Sequence, residues 1–308
     1  MLPNKLEKGD LIRIVCPSGF LNIETTQKLK DILEKWGFRV QLGSTVGWGS
    51  GYFAGSDEDR RNDLQLALDD PDVKAVFMGR GGYGMSKIID DIDFKYFSNN
   101  PKWLIGFSDI TVLLNHVNKH FEIATIHGPM ALQFHEADTY SANKALWNLL
   151  KIFNHDWEGY HCKQTHQWNK WGLTEGELVG GNLTLLTHVI GTPSGVDYQN
   201  KILFIEDIGE YLYSVDRHLT QLDRMGVFDQ INGLIIGQFS NIKDTVRPYG
   251  QDINQLIYQF VKGRAIPVYF NFPAGHDEVN YPLIIGANYT MQVSEDGMKL
   301  TLLNSLTI

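Results

Sequence analysis

Residues 103–117 read WLIGFSDITVLLNHV, and this stretch decides the fold. Residues 103–107 form a short apolar run of strand length, whereas the apolar positions of residues 111–117 suit a helix. Ser108 lies between the two, where the predicted strand ends. The stretch therefore predicts a strand, a tight turn and a helix, which is the repeating unit of a mostly parallel α/β sheet.

Similar units lie on both sides of this stretch. Residues 11–15 and 73–78 are predicted strands, and between them apolar residues recur at i, i+3, i+4 and i+7 from Leu29, as in an amphipathic helix. Further strands are predicted at residues 202–205 and 233–236. The alternation favours an α/β protein.

The length of 308 residues suggests two domains, at about 150 residues per domain. We expect the first at residues 1–150 and the second at residues 176–308. Residues 151–175 are rich in tryptophan and polar residues without a sustained period, so we interpret them as the connection between the domains.

The composition argues against several classes of partner. There are 27 Lys and Arg against 36 Asp and Glu, for a net charge of −9, so neither nucleic acid nor an anionic membrane is expected. Cys16 and Cys162 lie far apart, which fits a reducing compartment. With no signal-peptide pattern and no long apolar run, we expect a soluble cytoplasmic protein.

Ser108 is the first candidate for chemistry. A nucleophilic serine needs an exposed hydroxyl, a histidine base and backbone donors for the oxyanion, and a sharp turn before a helix provides the exposure and the donors. The sequence from Gly106 resembles a nucleophile elbow but lacks the second glycine of G-x-S-x-G. On local sequence alone, an ordinary helix N-cap is the simpler interpretation.

Glu206 and His276 are the candidate partners of such a serine. Glu206 and Asp207 end an apolar strand, and neighbouring strand residues point to opposite faces, so one carboxylate at most faces a given cleft. His276 lies in a loop after a strand-like run, where catalytic groups concentrate. A solubilised strand end and a surface histidine are the simpler alternatives.

Residues 79–84 read GRGGYG and match G-x-G-x-x-G between a predicted strand and a helix predicted at residues 85–92. One hypothesis is dinucleotide binding, with Asp109 at about the spacing of a ribose-binding acid. Another is that the glycines bring backbone N–H groups to an oxyanion, with Arg80 placed for a substrate carboxylate. A plain tight turn is the third.

The histidines and the cysteine of the predicted connection fit no standard zinc spacing, so we expect no metal site. These residues are His155, His161, Cys162 and His166.

Taken together, these motifs resemble the LD-carboxypeptidase family of serine peptidases, which includes muramoyl-tetrapeptide carboxypeptidases and microcin self-immunity peptidases. The resemblance spans nearly the whole chain, and the order and spacing of its short segments are specific. The segments are Lys8-Gly9-Asp10, Cys16-Pro17-Ser18-Gly19, residues 54–60, residues 80–84, Gly106-Phe107-Ser108-Asp109, Gly180-Gly181-Asn182-Leu183, Glu206-Asp207 and Gly275-His276.

The resemblance implies a catalytic triad with Ser108 as nucleophile, Glu206 as the carboxylate that orients the base, and His276 as the base. It implies a Rossmann-like N-terminal domain that carries the serine, a smaller β-rich C-terminal domain that carries the other two, and a cleft between them. The oxyanion and substrate-binding candidates are Gly81, Gly82, the backbone N–H of Asp109, and Arg80.

The family activity implied is hydrolysis of an L,D-amide bond, which releases D-alanine from a murein tetrapeptide without a cofactor. Family members often form homodimers. One departure is Cys16, where alanine is common. Three alternatives stay open: a microcin-type peptidase that cleaves a peptide-nucleotide amide, a nucleotide-dependent oxidoreductase, and a peptide-binding protein without activity.

Overall fold

The computed structural model describes residues 1–136 and 139–303, which form two β-sheets with flanking helices. The N-terminal half provides five strands that pair in parallel, as the sequence predicts. They are β1 (Leu11–Val15), β2 (Arg39–Leu42), β3 (Val73–Met78), β4 (Trp103–Gly106) and β5 (Thr125–His127). The α/β class and the mostly parallel first sheet are thus confirmed.

Helices connect these strands and continue beyond them. They are α1 (Gln27–Lys35), α2 (Asp57–Asp69), α3 (Lys95–Asn99), α4 (Thr111–Phe121), α5 (Ala131–Glu136) and α6 (Thr139–Phe153). Ser56 and Asp59 form a capping box at the start of α2, which satisfies backbone donors of its first turn. Across residues 1–136 and 139–303, no helix is both long and apolar enough to span a membrane.

The helix predicted at residues 85–92 is wrong. Two short 3₁₀ turns, Met85–Lys87 and Ile89–Asp91, take its place. Ile88 lies between them with φ −121° and ψ −12°, outside the α-helical region, so the helical hydrogen bonds do not continue through it.

The C-terminal half builds a mixed sheet. Its elements are β6 (Gly159–Cys162), β7 (Gly172–Asn182), α7 (Leu183–His188), β8 (Ile202–Ile208), α8 (Leu212–Arg224), α9 (Val227–Gln230), β9 (Gly233–Ser240), α10 (Ile253–Val261), β10 (Val268–Tyr269), β11 (Leu283–Ile285), β12 (Asn288–Ser294) and β13 (Gly297–Leu302). The seven-stranded order is β10-β9-β8-β7-β12-β13-β6, parallel from β10 to β7 and antiparallel beyond.

Two strands bear on the division into domains. β6 lies within residues 151–175, yet it pairs with β13 of the second sheet. β11 follows the second sheet's parallel strands in the chain, yet it pairs antiparallel with β5 of the first sheet. The chain therefore crosses between the sheets more than once, and the boundaries at residues 150 and 175 stay a prediction.

A polar junction joins α4 of the first half to the end of β7. The Asn115 amide donates to the Gly180 carbonyl at 2.9 Å and accepts from the Gly180 N–H at 3.1 Å. The Asn182 N–H donates to Thr111 Oγ1 at 3.0 Å. A Cβ atom on Gly181 would lie 2.6 Å from the same Oγ1, so only glycine permits this approach. The junction fixes α4, which follows Ser108, against the strand beside β8.

Candidate active site

Ser108 occupies a strained turn between β4 and α4. Its φ of 60° is in the left-handed region, which is uncommon for a residue other than glycine. Such strain at the end of a strand is typical of a nucleophile elbow. Ser108 opens a 3₁₀ turn, Ser108–Ile110, whose N-cap is Phe107, and the N-cap of α4 is Ile110. The Ser108 hydroxyl makes no hydrogen bond to any residue that the structure describes. The N-cap interpretation is therefore wrong.

Glu206 on β8 and His276, in the loop after β10, form a partly buried pair. His276 Nδ1 lies 2.6 Å from Glu206 Oε2, and Glu206 is fully buried on β8, opposite Asn182 of β7. Burial alone would lower the pKa of His276, but the negative charges of Glu206, Asp207 and Asp277 outweigh it and raise this pKa. With Nδ1 donating to the carboxylate, Nε2 is left as the proton acceptor.

Phe107 links Ser108 to the pair formed by Glu206 and His276. It directly precedes Ser108, and its ring centroid lies 4.6 Å from that of His276. Within the described part of the chain, Ser108 and His276 share no hydrogen bond. Catalytic hydrogen bonds are often long before substrate binds and shorten in the complex, so this geometry is compatible with a triad.

Asp207, the next residue on β8, shares no hydrogen bond with His276 in the described structure and makes its contacts elsewhere. Its carboxylate accepts from the Asn182 side chain at 2.9 Å and from the N–H and hydroxyl of Thr184 at 3.0 and 2.9 Å. Burial, followed by the charge of Glu206, raises the pKa of Asp207 to about 6. Asp207 thus attaches β8 to the start of α7.

The two candidate oxyanion glycines have different neighbours. A Cβ atom on Gly81 would lie 3.0 Å from Ser108 Cβ and 3.2 Å from its Oγ. One on Gly82 would instead lie 2.5 Å from the hydroxyl of Tyr52. Gly81 therefore borders the nucleophile, whereas Gly82, with φ of 106°, turns the chain beside an exposed tyrosine.

Sequence reasoning missed the residues that hold this glycine loop. The buried Asp109 carboxylate accepts from Ser18 Oγ at 2.5 Å and from the Met85 N–H at 2.8 Å. Arg60, fully buried on α2, donates to the carbonyls of Pro17 at 2.6 Å and Gly84 at 3.0 Å. An arginine on the inner face of a helix was the available signal, because a buried guanidinium needs several acceptors.

Arg80 lies beside the same loop. Its Nη1 donates to the Phe20 carbonyl at 2.9 Å, and its side chain packs where a Cβ atom on Gly19 would stand, 3.4 Å from Nε. The guanidinium is thus fixed at the mouth of the loop, and its role toward a substrate carboxylate stays a prediction.

The glycine loop lacks the second element of a dinucleotide site. A pyrophosphate is held by the N-terminus of a helix that begins directly after the glycines, and here two 3₁₀ turns follow instead. The oxidoreductase hypothesis thereby loses its structural basis. In residues 1–136 and 139–303, no cluster of three or more histidine, cysteine, aspartate or glutamate side chains is arranged to hold a metal ion.

Comparison with known proteins identifies the family of this chain. Residues 12–128 match the LD-carboxypeptidase N-terminal domain, and residues 175–291 match the LD-carboxypeptidase C-terminal domain. A probable murein peptide carboxypeptidase of Bacillus subtilis is 32% identical over 296 residues, which cover 95% of this chain and 92% of that protein.

Solved structures show the same fold. The crystal structure of a muramoyltetrapeptide carboxypeptidase from Oxalobacter formigenes has a TM-score of 0.83 and 30% identity, and covers 95% of this chain and 98% of that one. The microcin C7 self immunity protein MccF, as an inactive mutant, has a TM-score of 0.88 at 22% identity, with 99% of both chains covered, which shows the fold alone. The two matched domains, in order and over most of the chain, place this protein in the LD-carboxypeptidase family.

Proposed function

We propose that this protein is a serine LD-carboxypeptidase that releases a terminal D-alanine from a murein tetrapeptide, with Ser108, His276 and Glu206 as its triad. The observation that carries the proposal is the partly buried 2.6 Å contact between His276 and Glu206, with the Phe107 ring between His276 and the strained turn of Ser108. The names of relatives with substantial sequence identity support the substrate class.

In the first half of the reaction, Ser108 Oγ attacks the carbonyl carbon of the scissile amide while His276 Nε2 accepts the hydroxyl proton. The Glu206 carboxylate stabilises the imidazolium that forms. When the tetrahedral intermediate collapses, the C–N bond breaks, and His276 returns the proton to the leaving amine of D-alanine. The acyl group is left as an ester on Ser108.

Backbone N–H groups hold the oxyanion of that intermediate. The candidates are Gly81, which borders Ser108, together with Gly82 and the N–H of Asp109. In the second half, water loses a proton to His276 and attacks the ester, which frees the shortened peptide and restores the Ser108 hydroxyl. No step requires a metal or a cofactor.

Product analysis by mass spectrometry tests the proposal. The purified protein is incubated separately with a tetrapeptide that ends in D-alanine, the same peptide ending in L-alanine, and a peptide-nucleotide amide. We expect free D-alanine from the first substrate alone. Cleavage of the third alone would instead support the microcin-type activity, and binding without product would make this a peptide-binding protein.

Ser108→Ala is the matching variant. Loss of a triad nucleophile lowers kcat by about a millionfold in a comparable serine peptidase, so turnover should vanish while circular dichroism stays unchanged. D-alanine release at the normal rate by this variant would refute the assignment of the nucleophile.

We also propose that the protein resides in the cytoplasm and forms a homodimer. Light scattering on the purified protein measures its oligomeric state.

A further inference from the structure

His127 is the last residue of β5, opposite Gly106 of β4, and is fully buried. Neither ring nitrogen has a hydrogen-bond partner among the described residues. A buried polar group without a partner costs free energy and is rare in folded proteins, so its retention here requires an explanation.

The neighbours of His127 are the residues that carry the triad. Its ring centroid lies 5.6 Å from that of Phe107, which precedes Ser108, and 4.8 Å from that of Phe204, which lies two residues before Glu206 on β8. Burial lowers the pKa of His127 to about 4, against an opposing effect of the Glu206 charge. At neutral pH the ring is therefore uncharged, with one N–H donor and one acceptor.

Two further unpartnered atoms lie at this place. Glu206 Oε1 is buried without a hydrogen bond in the described structure, although Oε2 binds His276. Asn280 Nδ2 is likewise buried and unpartnered, while its Oδ1 accepts from the N–H of Gly275 at 3.1 Å. Asn280 also lies in polar contact with the His127 ring, short of hydrogen-bond geometry. The His127 ring N–H and the Asn280 side-chain amide are thus two donors without partners, and Glu206 Oε1 is an acceptor without one.

We infer that His127, together with Asn280, is a positioning residue that donates to the second oxygen of Glu206, directly or through one bridging water molecule. The inference rests on the proposed function, since it concerns the carboxylate that orients the base. A water molecule bridging three buried polar groups satisfies the usual requirement of two to four partners.

This contact has two consequences for catalysis. It fixes the rotation of the carboxylate, so Oε2 stays on His276 Nδ1. It also withdraws electron density from the carboxylate, which limits how far Glu206 raises the pKa of His276. The charged or titratable groups that act on His276 are Glu206 and Asp207 from β8, Asp277 from its own loop and His127 from β5.

His127→Phe tests the inference, because it keeps an aromatic ring against Phe107 and Phe204 and removes both nitrogens. We expect kcat to fall about tenfold to a hundredfold with KM little changed, as for loss of a hydrogen bond to a charged group. The acid limb of kcat/KM should move to higher pH, since the carboxylate becomes more basic. His127→Gln, which retains an N–H donor, should recover part of both.

A purely structural role would lower the thermal unfolding temperature of His127→Phe without moving the acid limb, and that result would overturn the inference. If His127→Phe does not fold, Asn280→Ala carries the same test, because it removes Nδ2, the other donor that we assign to this oxygen. Ser108→Ala is assayed in parallel. An inactive Ser108→Ala beside a His127→Phe with normal kcat and pH profile would refute this inference and leave the proposed function intact.

Discussion

The two sides of the cleft are built by different physical means. On the Ser108 side, backbone geometry dominates: a positive φ at the serine, a glycine at its flank, and a loop held by Asp109 and Arg60. On the Glu206 side, a buried charge and a histidine 70 residues later in the chain form one close contact. The first side therefore depends on backbone shape held by buried hydrogen bonds, and the second on one close contact between a carboxylate and a histidine. Substitutions that change one property alone should distinguish them.

Glu206→Gln should have the largest effect of these changes. It keeps the shape of the side chain but removes the charge that orients His276 and stabilises its protonated form. Loss of the corresponding carboxylate charge in a serine protease lowers kcat about 10,000-fold, and we expect a similar loss here. Steady-state release of D-alanine measures it.

Asp207→Asn is the matched control on the same strand, because Asp207 hydrogen-bonds to Asn182 and Thr184, whereas Glu206 holds His276 directly. The Asp207→Asn variant should retain most of the wild-type kcat. Equal losses in both variants would show that β8 as a whole, and not the Glu206 charge, determines activity.

Gly81→Ala perturbs the other side through shape alone. The added Cβ would lie 3.0 Å from Ser108 Cβ, closer than nearly all real contacts, so the loop or the serine has to shift. Displacing one oxyanion donor typically lowers kcat about a hundredfold to a thousandfold. Gly263→Ala is the control, because nothing lies within 4 Å of its added Cβ. Normal kcat in Gly81→Ala would remove Gly81 from the oxyanion hole.

The same contrast explains how far the sequence could predict the site. The strand and turn around Ser108 follow from local patterns, and β1 and β3 have the predicted bounds. The buried partners of Asp109 and the contact between Glu206 and His276 depend on residues distant in the chain, so periodicity and spacing contain no signal for them. The order of motifs in the family resemblance supplied what local patterns could not.

The 3₁₀ turns after the glycine loop show a second limit. Met85 and the residues after it have the composition of a helix, but the tertiary contacts of the Met85 N–H with Asp109 and of the Gly84 carbonyl with Arg60 fix the backbone in another form. Tertiary hydrogen bonds can override local propensity in such a short segment.

The acid limb of kcat/KM reports on the charged side alone. His276 must be unprotonated to accept the serine proton, and its pKa lies above the ordinary value of 6.5 because neighbouring charges, Glu206 foremost, outweigh burial. Activity should therefore decline as pH falls through a value above 6.5. In Glu206→Gln the residual activity should decline only at lower pH, because the carboxylate charge is gone.

The raised pKa of His276 also predicts an effect on stability. Its pH dependence is opposite to that of activity: the stabilisation is present at low pH, where activity is lost. The unfolded protein binds this proton less tightly than the folded one, so the stabilisation is full below the unfolded pKa and is lost as pH rises through the folded pKa. Denaturant titrations of wild type and Glu206→Gln at several pH values measure it. If the acid limb of kcat/KM is unchanged in Glu206→Gln, protonation of His276 is not its cause.

Asn115→Ala should have the smallest effect on catalysis. Asn115 lies on neither side of the cleft and belongs to the junction between α4 and β7. The substitution leaves the N–H and carbonyl of Gly180 without their partners in a buried place, and such a loss lowers the free energy of unfolding by about 1–3 kcal/mol. Asn118→Ala, on the same helix and half-buried, is the matched control. With both proteins folded, kcat should change only a few-fold, since β11 paired with β5 also joins the halves. A fall in kcat as deep as that of Gly81→Ala, in a protein that stays folded, would instead mean that this junction sets the distance between Ser108 and His276, and that the two sides are not independent.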